Sequence, residues 1–398
     1  MKKLPKKSNK YELLSPAGSF ASLRAAIDSG ANAVYFGIRD FNMRAGAQNF
    51  SVADLKKIDE ICKSKKVKKY LTLNVIVYDN ELKRIEQILK QAKKYIDAVI
   101  CWDLSVIELC KKLKIPFHIS TQASISNSMS AKFYKKLGAE RIILARELNL
   151  KQIKEIAKII DVECFVHGAM CVSVSGRCFT SQFLFGKSAN RGECLQPCRR
   201  SYQVKDEDGN ELKLENNTVM SAKDLCALPF IEQLKEAGVV AFKIEGRNRE
   251  PEYVATTTKV YRKALDKKLS EQEIKESLKE LNKVYTKGFS SGFLIKIPTA
   301  DDFSKEEHSS STHRKEFLGK IIHYFDKIQV GVLRMSSGHI KIGDEILVTS
   351  DKTGLIRMKV ERLEVNNKPV KQAKKGDEVG IKIPNAKKND KIYLVVEK

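Results

Sequence analysis

Five of the nine cysteines in this chain lie within residues 163–200, a stretch that also contains several glycines. Six residues separate Cys171 from Cys178, and three separate Cys194 from Cys198. Hydrophobic periodicity does not explain these positions, so a common chemical role for the thiols is indicated. Thiolates act as nucleophiles and as metal ligands. The stretch therefore predicts a thiolate site, and we interpret it as a metal centre.

Two metal centres fit the cysteines to different degrees. Structural zinc sites favour cysteines separated by two to four residues, and only Cys194 and Cys198 have that spacing. A 4Fe-4S cluster takes thiolates from a loop and from distant positions, and nearby glycines such as Gly176 and Gly192 admit backbone amides to the sulfurs. The residues favour the iron-sulfur cluster, and they leave open whether Cys198 or the later Cys226 completes the set.

The remaining cysteines have a simpler interpretation. Free cysteine is among the most buried residue types in proteins. Four cysteines lie inside apolar runs and are interpreted as core residues: Cys62, Cys101, Cys110 and Cys164.

Short apolar runs alternate with amphipathic helical segments from Tyr11 onward. Each run is followed by a helical segment except the seventh, where the cysteine-rich insertion takes its place. Eight such units predict an α/β fold, a (β/α)8 TIM-like barrel. The eight predicted strands are YELLSPAGS, NAVYFGI, KYLTLNVIV, DAVICW, PFHIS, RIILA, VECFVHGAM and VAFKIEG.

Polar residues at the ends of these runs are the candidate site residues, because the chemistry of such barrels lies at the carboxyl ends of the strands. Ser15, Asp103 and Ser120 are better explained as helix caps or satisfied loop residues. For His167, a site role and a structural hydrogen bond are equally supported, because imidazole suits both. The candidates are Arg44, Asn74, Gln122, Arg146, Glu147, His167, Glu245 and Arg247.

The rest of the chain divides by composition. Beyond a polar stretch with three consecutive serines, period-two alternation predicts a C-terminal small all-β barrel. The predicted units are a basic N-terminal tail at 1–10, the barrel at 11–268 with its insertion at 163–235, a helical appendage at 269–300, a linker at 301–315 and the β-barrel at 316–398.

Charge indicates the partner. The chain has 73 Lys and Arg against 49 Asp and Glu, a net charge of +24. A nucleic acid is the expected partner of such a surplus, although lysines on solvated helix faces explain part of it. No apolar run long enough for a membrane span or a signal peptide occurs. We therefore expect a cytoplasmic protein with no membrane partner, in which clustered cysteines bind metal more often than they form disulfides.

Several motifs of the chain resemble one known family. Its signature is matched from Glu163 through Phe165, Gly168 and Cys171 to Cys178, with Thr180 where an aliphatic residue is usual. The resemblance is to the collagenase-like peptidases of unassigned mechanism, a family now associated with oxygen-independent hydroxylation of nucleic acids. Colinear matches are SPAGS, VYFG, FNMRAGAQNF, STQASISN, ARELNLKQI, NRGEC, KDLC and KIEGR.

This resemblance implies a cofactor and a reaction. The implied 4Fe-4S cluster has Cys171, Cys178, Cys194 and Cys226 as ligands, and some relatives use the position of Cys198 instead. The tail looks like the translation-factor β-barrel of members that act on tRNA. The implied activity is 5-hydroxylation of the wobble uridine of tRNA, with prephenate as the co-substrate. As a small dicarboxylate, prephenate would suit a clamp of arginines, and the candidates are Arg44, Arg146 and Arg247.

Three other functions compete with this one. The same chemistry on ribosomal RNA or another aromatic substrate is the nearest alternative. A peptidase, as in the historical family label, would lack H-E-x-x-H and G-x-S-x-G motifs, and a pair of Cys171 with His167 has no evident third group to orient it. The third alternative is a non-catalytic RNA-binding protein with a structural cluster.

Overall fold

The computed structural model describes residues 11–200, 202, 205–210, 220–306 and 308–398. The predicted basic tail at 1–10 lies outside these residues. None of the described helices is long and apolar enough to cross a membrane.

Eight parallel strands close into a barrel, which confirms the predicted fold. Strands β1 to β7 pair in chain order, and β9 pairs with both β7 and β1 to close the ring. The short β8 lies outside the ring and runs antiparallel to the end of β7. The strands are β1 (Glu12–Pro16), β2 (Ala33–Gly37), β3 (Lys68–Thr72), β4 (Ala98–Cys101), β5 (Phe117–Ile119), β6 (Arg141–Ile143), β7 (Asp161–Gly168), β8 (Asp224–Cys226) and β9 (Ala241–Ile244).

Helices connect these strands on the outside of the barrel. Their apolar faces pack on the strands, while many of the lysines lie on the outer faces. Side-chain caps begin several of them; Asn127, for example, accepts from the amide of Ser130 at 2.9 Å. The helices are α1 (Phe20–Asp28), α2 (Leu55–Ser64), α3 (Leu82–Ala92), α4 (Leu104–Leu113), α5 (Ser128–Lys136), α6 (Leu150–Ala157), α7 (Thr180–Phe185), α8 (Ile231–Glu236), α9 (Pro251–Asp266) and α10 (Glu271–Asn282).

The predicted appendage and linker are both closely associated with the insertion. Helix α10 is followed by β10 (Phe289–Ser290), which pairs in parallel with β8. Residues 300–302 form a 3-10 turn, and Lys223 donates through its backbone amide to the carbonyl of Asp302 at 2.9 Å. The last three residues of the predicted linker already belong to the first strand of the C-terminal domain.

The C-terminal domain is antiparallel and all-β, as predicted. It has its own apolar core, which includes Ile321, Leu333, Ile346 and Ile392. Eight strands form the main sheet, and β13 pairs with β18 in a small second sheet. The strands are β11 (His313–Phe325), β12 (Val330–Met335), β13 (His339–Lys341), β14 (Glu345–Ser350), β15 (Gly354–Lys359), β16 (Leu363–Val365), β17 (Lys368–Val370), β18 (Gln372–Lys374), β19 (Glu378–Lys382) and β20 (Lys391–Glu397).

The turn between β14 and β15 contacts helix α1 of the barrel. Asp351 accepts from the backbone amide of Ala21 and, through its carbonyl, from Arg24 Nε, both at 3.1 Å. Gly354 has a left-handed backbone with φ +80, and a Cβ there would lie 2.7 Å from Arg24 Cβ. The close contact therefore requires glycine at this turn.

Candidate active site at the mouth of the barrel

A pocket opens at the carboxyl ends of the barrel strands. Six of the eight candidate site residues line it, which shows that the loops after different strands bring them together. These six are Arg44, Asn74, Gln122, Arg146, Glu245 and Arg247.

An ion pair forms part of the pocket wall. Arg44, in the loop after β2, donates to Glu245 Oε1 from Nε at 3.3 Å and from Nη2 at 3.0 Å. Burial alone would raise the pKa of Glu245, but the charges of Arg44, Arg249 and Arg146 outweigh it and hold the pKa below its usual value. Glu245 is therefore a carboxylate at neutral pH, and it compensates the charge of Arg44.

Arg247 is held differently, because neutral groups bind it. Its Nη1 donates to Asn42 Oδ1 at 3.0 Å and to Thr72 Oγ1 at 2.9 Å. Burial lowers the pKa of Arg247 to about 10, so the side chain is still charged at neutral pH. Among the described residues no carboxylate forms an ion pair with it. Its positive charge is therefore available to an anion in the pocket.

Arg146 is the second cation that neutral groups hold. Its Nη1 donates to the carbonyl of Ala169 at 2.5 Å, and its guanidinium carbon lies 4.0 Å from the centre of the Phe165 ring. Its Nε is buried and has no hydrogen-bond partner in the described part of the chain. An unpartnered buried donor is costly, so a ligand acceptor at this position would be stabilised.

Lys243 reaches the pocket from inside the barrel. It donates from Nζ to Glu163 Oε1 at 2.8 Å, and the other carboxylate oxygen of Glu163 lies 3.2 Å from Arg141 Nη1. Arg141 in turn contacts Glu12 at 2.5 Å. Burial lowers the pKa of Lys243, and the charge of Glu163 opposes that shift. A chain of buried charges thus fills the barrel below the pocket, where most such barrels have branched apolar residues.

Amide and hydroxyl groups occupy the opposite side. Asn74 Nδ2 lies 3.4 Å from both Ser120 Oγ and Gln122 Oε1, and Asn74 Oδ1 accepts from the amide of Met43 at 3.3 Å. Ser120 also donates to Gln122. These groups offer donors and acceptors in one place, as recognition of the edge of a heterocyclic base would require.

His167 and Glu147 lie outside the pocket lining. His167 is buried on β7, where its Nδ1 is 3.3 Å from Tyr261 Oη and its ring contacts Tyr253 and Phe289. Burial lowers its pKa to about 3, so the ring is neutral. Glu147 is exposed on the loop before α6. For His167 the structure supports the structural interpretation.

The cysteine loop covers one side of the pocket. Cys171, Ser175 and Gly176 line it directly. Gly176 has φ +76, and a Cβ at this position would lie 2.7 Å from Gln122 Cγ and 2.9 Å from Met43 Cε. Only glycine lets the loop lie this close to the barrel, so the thiol of Cys171 is held at the pocket wall.

Cys198 and Cys226 have different surroundings. Burial raises the pKa of Cys198 to about 11, and charges on Cys171, Cys194 and Cys178 act in the same direction. The thiols of the loop therefore influence one another electrostatically. Cys226 is buried in β8 with its sulfur 3.6 Å from Tyr261 Oη, and its charged neighbour is Asp224.

The thiols of the loop do not form a site for a single metal ion. Within the described ranges, no three Cys, His, Asp or Glu side chains converge closely enough to hold one metal ion. A 4Fe-4S cluster binds each thiolate through a different iron, so its ligands need not converge on one point. Cys171 and Cys194 are exposed, and Cys178 and Cys198 are half-buried, which leaves the sulfurs accessible.

Sequence reasoning missed several of the residues that line the pocket. Tyr35, Phe165 and Lys243 lie inside apolar strand runs, and Thr72 ends β3. A lysine within the run VAFKIEG is the one signal that the sequence offered, because a charge inside a buried strand requires a partner.

Comparison with known proteins identifies the family. The profile of Peptidase family U32 matches residues 18–304. This chain belongs to that family. The profile of elongation factor Tu domain 2 matches residues 329–395, within the all-β domain of this U32 protein.

Relatives of the U32 protein have two kinds of name. A protein of Porphyromonas gingivalis named collagenase is 39% identical, over 97% of this chain and 98% of its own length. The tRNA hydroxylation protein P1 of Bacillus subtilis is 33% identical, over 85% of this chain and 83% of its own. The 23S rRNA 5-hydroxycytidine C2501 synthase of Escherichia coli is 40% identical, over 67% of this chain and 41% of its own.

Proposed function

We propose that this U32 protein is an RNA-modifying enzyme that hydroxylates a pyrimidine base, and that its substrate is the wobble uridine of tRNA. The observation that carries the proposal is the pocket itself, whose lining combines two arginines that form no ion pair among the described residues with an amide cluster and part of the cysteine loop. Two relatives are named for RNA hydroxylation. The net charge of +24 agrees with an RNA partner.

The base would enter the pocket unstacked, since chemistry on a base requires taking it out of its stack. Asn74 and Gln122 would bind its polar edge. The rings of Tyr35 and Phe165 line the same pocket and offer flat apolar surface to the base. A uridine in an unpaired loop reaches such a pocket at less cost than one in a duplex.

The reaction requires a second substrate. Converting C5–H to C5–OH adds an oxygen atom to the base and removes two electrons from it, so a donor of the hydroxyl group must bind beside the base. We propose prephenate, a dicarboxylate, as this donor. Its C–O bond would break, its hydroxyl oxygen would pass to C5, and its carbon skeleton would accept the two electrons and a proton, so that C–H replaces C–OH in the spent donor. Arg146 and Arg247 would bind its carboxylates, because their charges lack carboxylate partners among the described residues. Arg44 is already paired with Glu245. Its proposed role is therefore to position the carboxylate of Glu245.

We further propose that Cys171, Cys178, Cys194 and Cys198 hold a 4Fe-4S cluster at the pocket wall. When bound, such a cluster would supply electron transfer or Lewis acidity. The proposal rests on the electrostatic influence of these thiols on one another and on the position of Cys171 in the pocket lining.

The test is nucleoside mass spectrometry on tRNA and ribosomal RNA from a deletion strain. Complementation with the wild-type gene should restore 5-hydroxyuridine, whereas Arg247→Met and Cys171→Ser should restore less than about a tenth of it. Glu147→Gln is the matched control, because Glu147 is exposed outside the pocket, and it should restore the full amount. If the tRNA nucleosides are unchanged and a hydroxylated base is lost from ribosomal RNA, the substrate is ribosomal RNA. No change in either RNA would contradict the proposal.

The name of the Porphyromonas gingivalis relative supports a peptidase as the second candidate. A Cys171 nucleophile would need a base, but the buried ring of His167 contacts Tyr261 instead. We therefore expect the purified protein not to cleave gelatin. If the protein cleaves gelatin and Cys171→Ser abolishes the cleavage, a peptidase becomes the favoured function.

A further inference from the structure

Helix α7 exposes a group of aromatic side chains beside the pocket. Phe183 is 83% exposed and Phe179, at the N-cap, is 60% exposed. They are four residues apart, so they share one face of the helix, and their ring centres are 6.1 Å apart with 33° between the planes. An exposed Phe contributes nothing to the core, and several exposed together indicate a binding surface.

Two arginines belong to the segment that carries these rings. Arg177 precedes Phe179 and donates from Nη2 to the carbonyl of Gln122 at 3.4 Å. On the other side, the guanidinium carbon of Arg200 lies 5.1 Å from the centre of the Phe185 ring. Between Cys171 and Arg200, Glu193 is the only acidic residue. The surface is thus both aromatic and positively charged.

The segment with these rings begins at the pocket. Ser175 and Gly176 line the pocket, and Arg177 and Phe179 follow them closely in the chain. A polymer with one residue in the pocket therefore has α7 within a few residues of the pocket lining.

We propose that Phe179 and Phe183, with Arg177 two residues before Phe179 and Arg200 at the Phe185 ring, form a stacking platform for unpaired bases next to the target base of an RNA loop. Single-stranded nucleic acids are bound in this way, with bases on aromatic faces and cations at the phosphates. A protein partner or a second copy of this chain would account for the apolar area but not for the arginines around it. The inference rests on the proposed function, because it needs an RNA substrate in the pocket.

Binding measurements on the full-length protein test the platform. Fluorescence anisotropy would compare an RNA stem-loop that has a uridine in its unpaired loop with a fully paired RNA duplex of equal length. Removing a stacking aromatic weakens such binding by about 5- to 150-fold per base. We expect Phe183→Ala to weaken stem-loop binding about tenfold and to leave duplex binding unchanged.

Three further variants separate ring stacking from a merely apolar contact. Phe183→Tyr keeps a ring and should bind as the wild type does, whereas Phe183→Leu keeps apolar area and should bind as weakly as Phe183→Ala. The control is Phe325→Ala, since Phe325 is 46% exposed at the end of β11 in the C-terminal domain; it should have no effect. Thermal melting of each variant would show that the fold is intact.

The outcomes distinguish the two proposals. Stem-loop binding that Phe183→Ala leaves unchanged, or that Phe183→Leu preserves, would overturn the platform while leaving the proposed function standing. A wild-type protein that binds neither RNA would overturn both. Light scattering that shows a wild-type dimer and a Phe183→Ala monomer would assign the surface to self-association and overturn the platform.

Discussion

Replacing Glu163 by Gln should strongly destabilise the barrel. Glu163 is 0% exposed and accepts from both Lys243 and Arg141. Gln keeps the shape and one acceptor but removes the negative charge. Arg141 still has Glu12, whereas Lys243 has no other carboxylate within ion-pair distance in the described part of the structure. The substitution therefore leaves one buried charge without compensation.

The magnitude follows from that single charge. Breaking a buried pair by removing one partner costs about 3–5 kcal/mol. We expect a loss of stability near the lower end of this range at neutral pH. Burial already lowers the pKa of Lys243, so the side chain can lose its proton and with it the uncompensated charge. Because the pKa of Lys243 is lower in the folded protein than in the unfolded chain, the unfolded chain binds more protons between these two pKa values. The free energy of unfolding therefore rises with pH over that range. The deficit of Glu163→Gln should therefore be smaller at pH 9 than at pH 6.

Urea unfolding measures this deficit. Trp102 is the only tryptophan, and its Nε1 donates to the carbonyl of Asn74 at the mouth of the barrel, so its fluorescence reports on barrel unfolding. The matched variant is Glu163→Gln with Lys243→Met, which removes both charges and should recover at least about 2 kcal/mol. A Glu163→Gln protein within about 1 kcal/mol of the wild type, or a double variant less stable than the single one, would refute the reasoning.

Three more predictions concern the cysteines, the histidines and one glycine. After anaerobic reconstitution, Cys198→Ser should lose most of its iron and sulfide while Cys226→Ser keeps them; the reverse pattern would restore Cys226 as a ligand. Burial lowers the pKa values of His118 and His167 from 6.5 to about 3. As the pH falls, the unfolded chain therefore binds protons at these histidines before the folded protein does. Stability should fall as the pH drops below that unfolded value, by up to about 1.4 kcal/mol per pH unit for each histidine, and urea midpoints for His118→Phe should show a shallower decline. Gly176→Ala should displace the cysteine loop and reduce RNA modification at least about tenfold, with little effect on RNA binding; full modification would show that the loop tolerates a Cβ.

The barrel was predictable from sequence because the same pattern of an apolar run and an amphipathic segment repeats along the chain. Each apolar run is short and is followed by an amphipathic segment, and eight repeats leave few alternatives to a closed ring. The candidate residues at the strand ends followed from the same topology, since loops after parallel strands share one face. Arg44, Asn74 and Glu245 lie in the pocket for this reason.

Other parts of the site were not predictable, and the reasons differ. His167 ends a strand like the true pocket residues, but its ring turns toward Tyr261, and strand position alone does not give the direction of a side chain. Lys243 lies within an apolar run, and its partner Glu163 is 80 residues away in sequence, so local pattern does not reveal the pair. The choice between Cys198 and Cys226 as the fourth ligand stays a prediction, because it depends on how the insertion folds back, which spacing does not encode.

The partners of the cations explain why the pocket favours an anion. Glu245 compensates Arg44, and Glu163 compensates Lys243. Arg146 and Arg247 are held by neutral groups, and burial lowers the pKa of Arg247 to about 10, although the charge of Glu245 opposes that shift. Desolvated charges of this kind cost several kcal/mol. A carboxylate that binds to these two arginines would offset part of that cost, so part of the free energy gained on binding would come from the pocket.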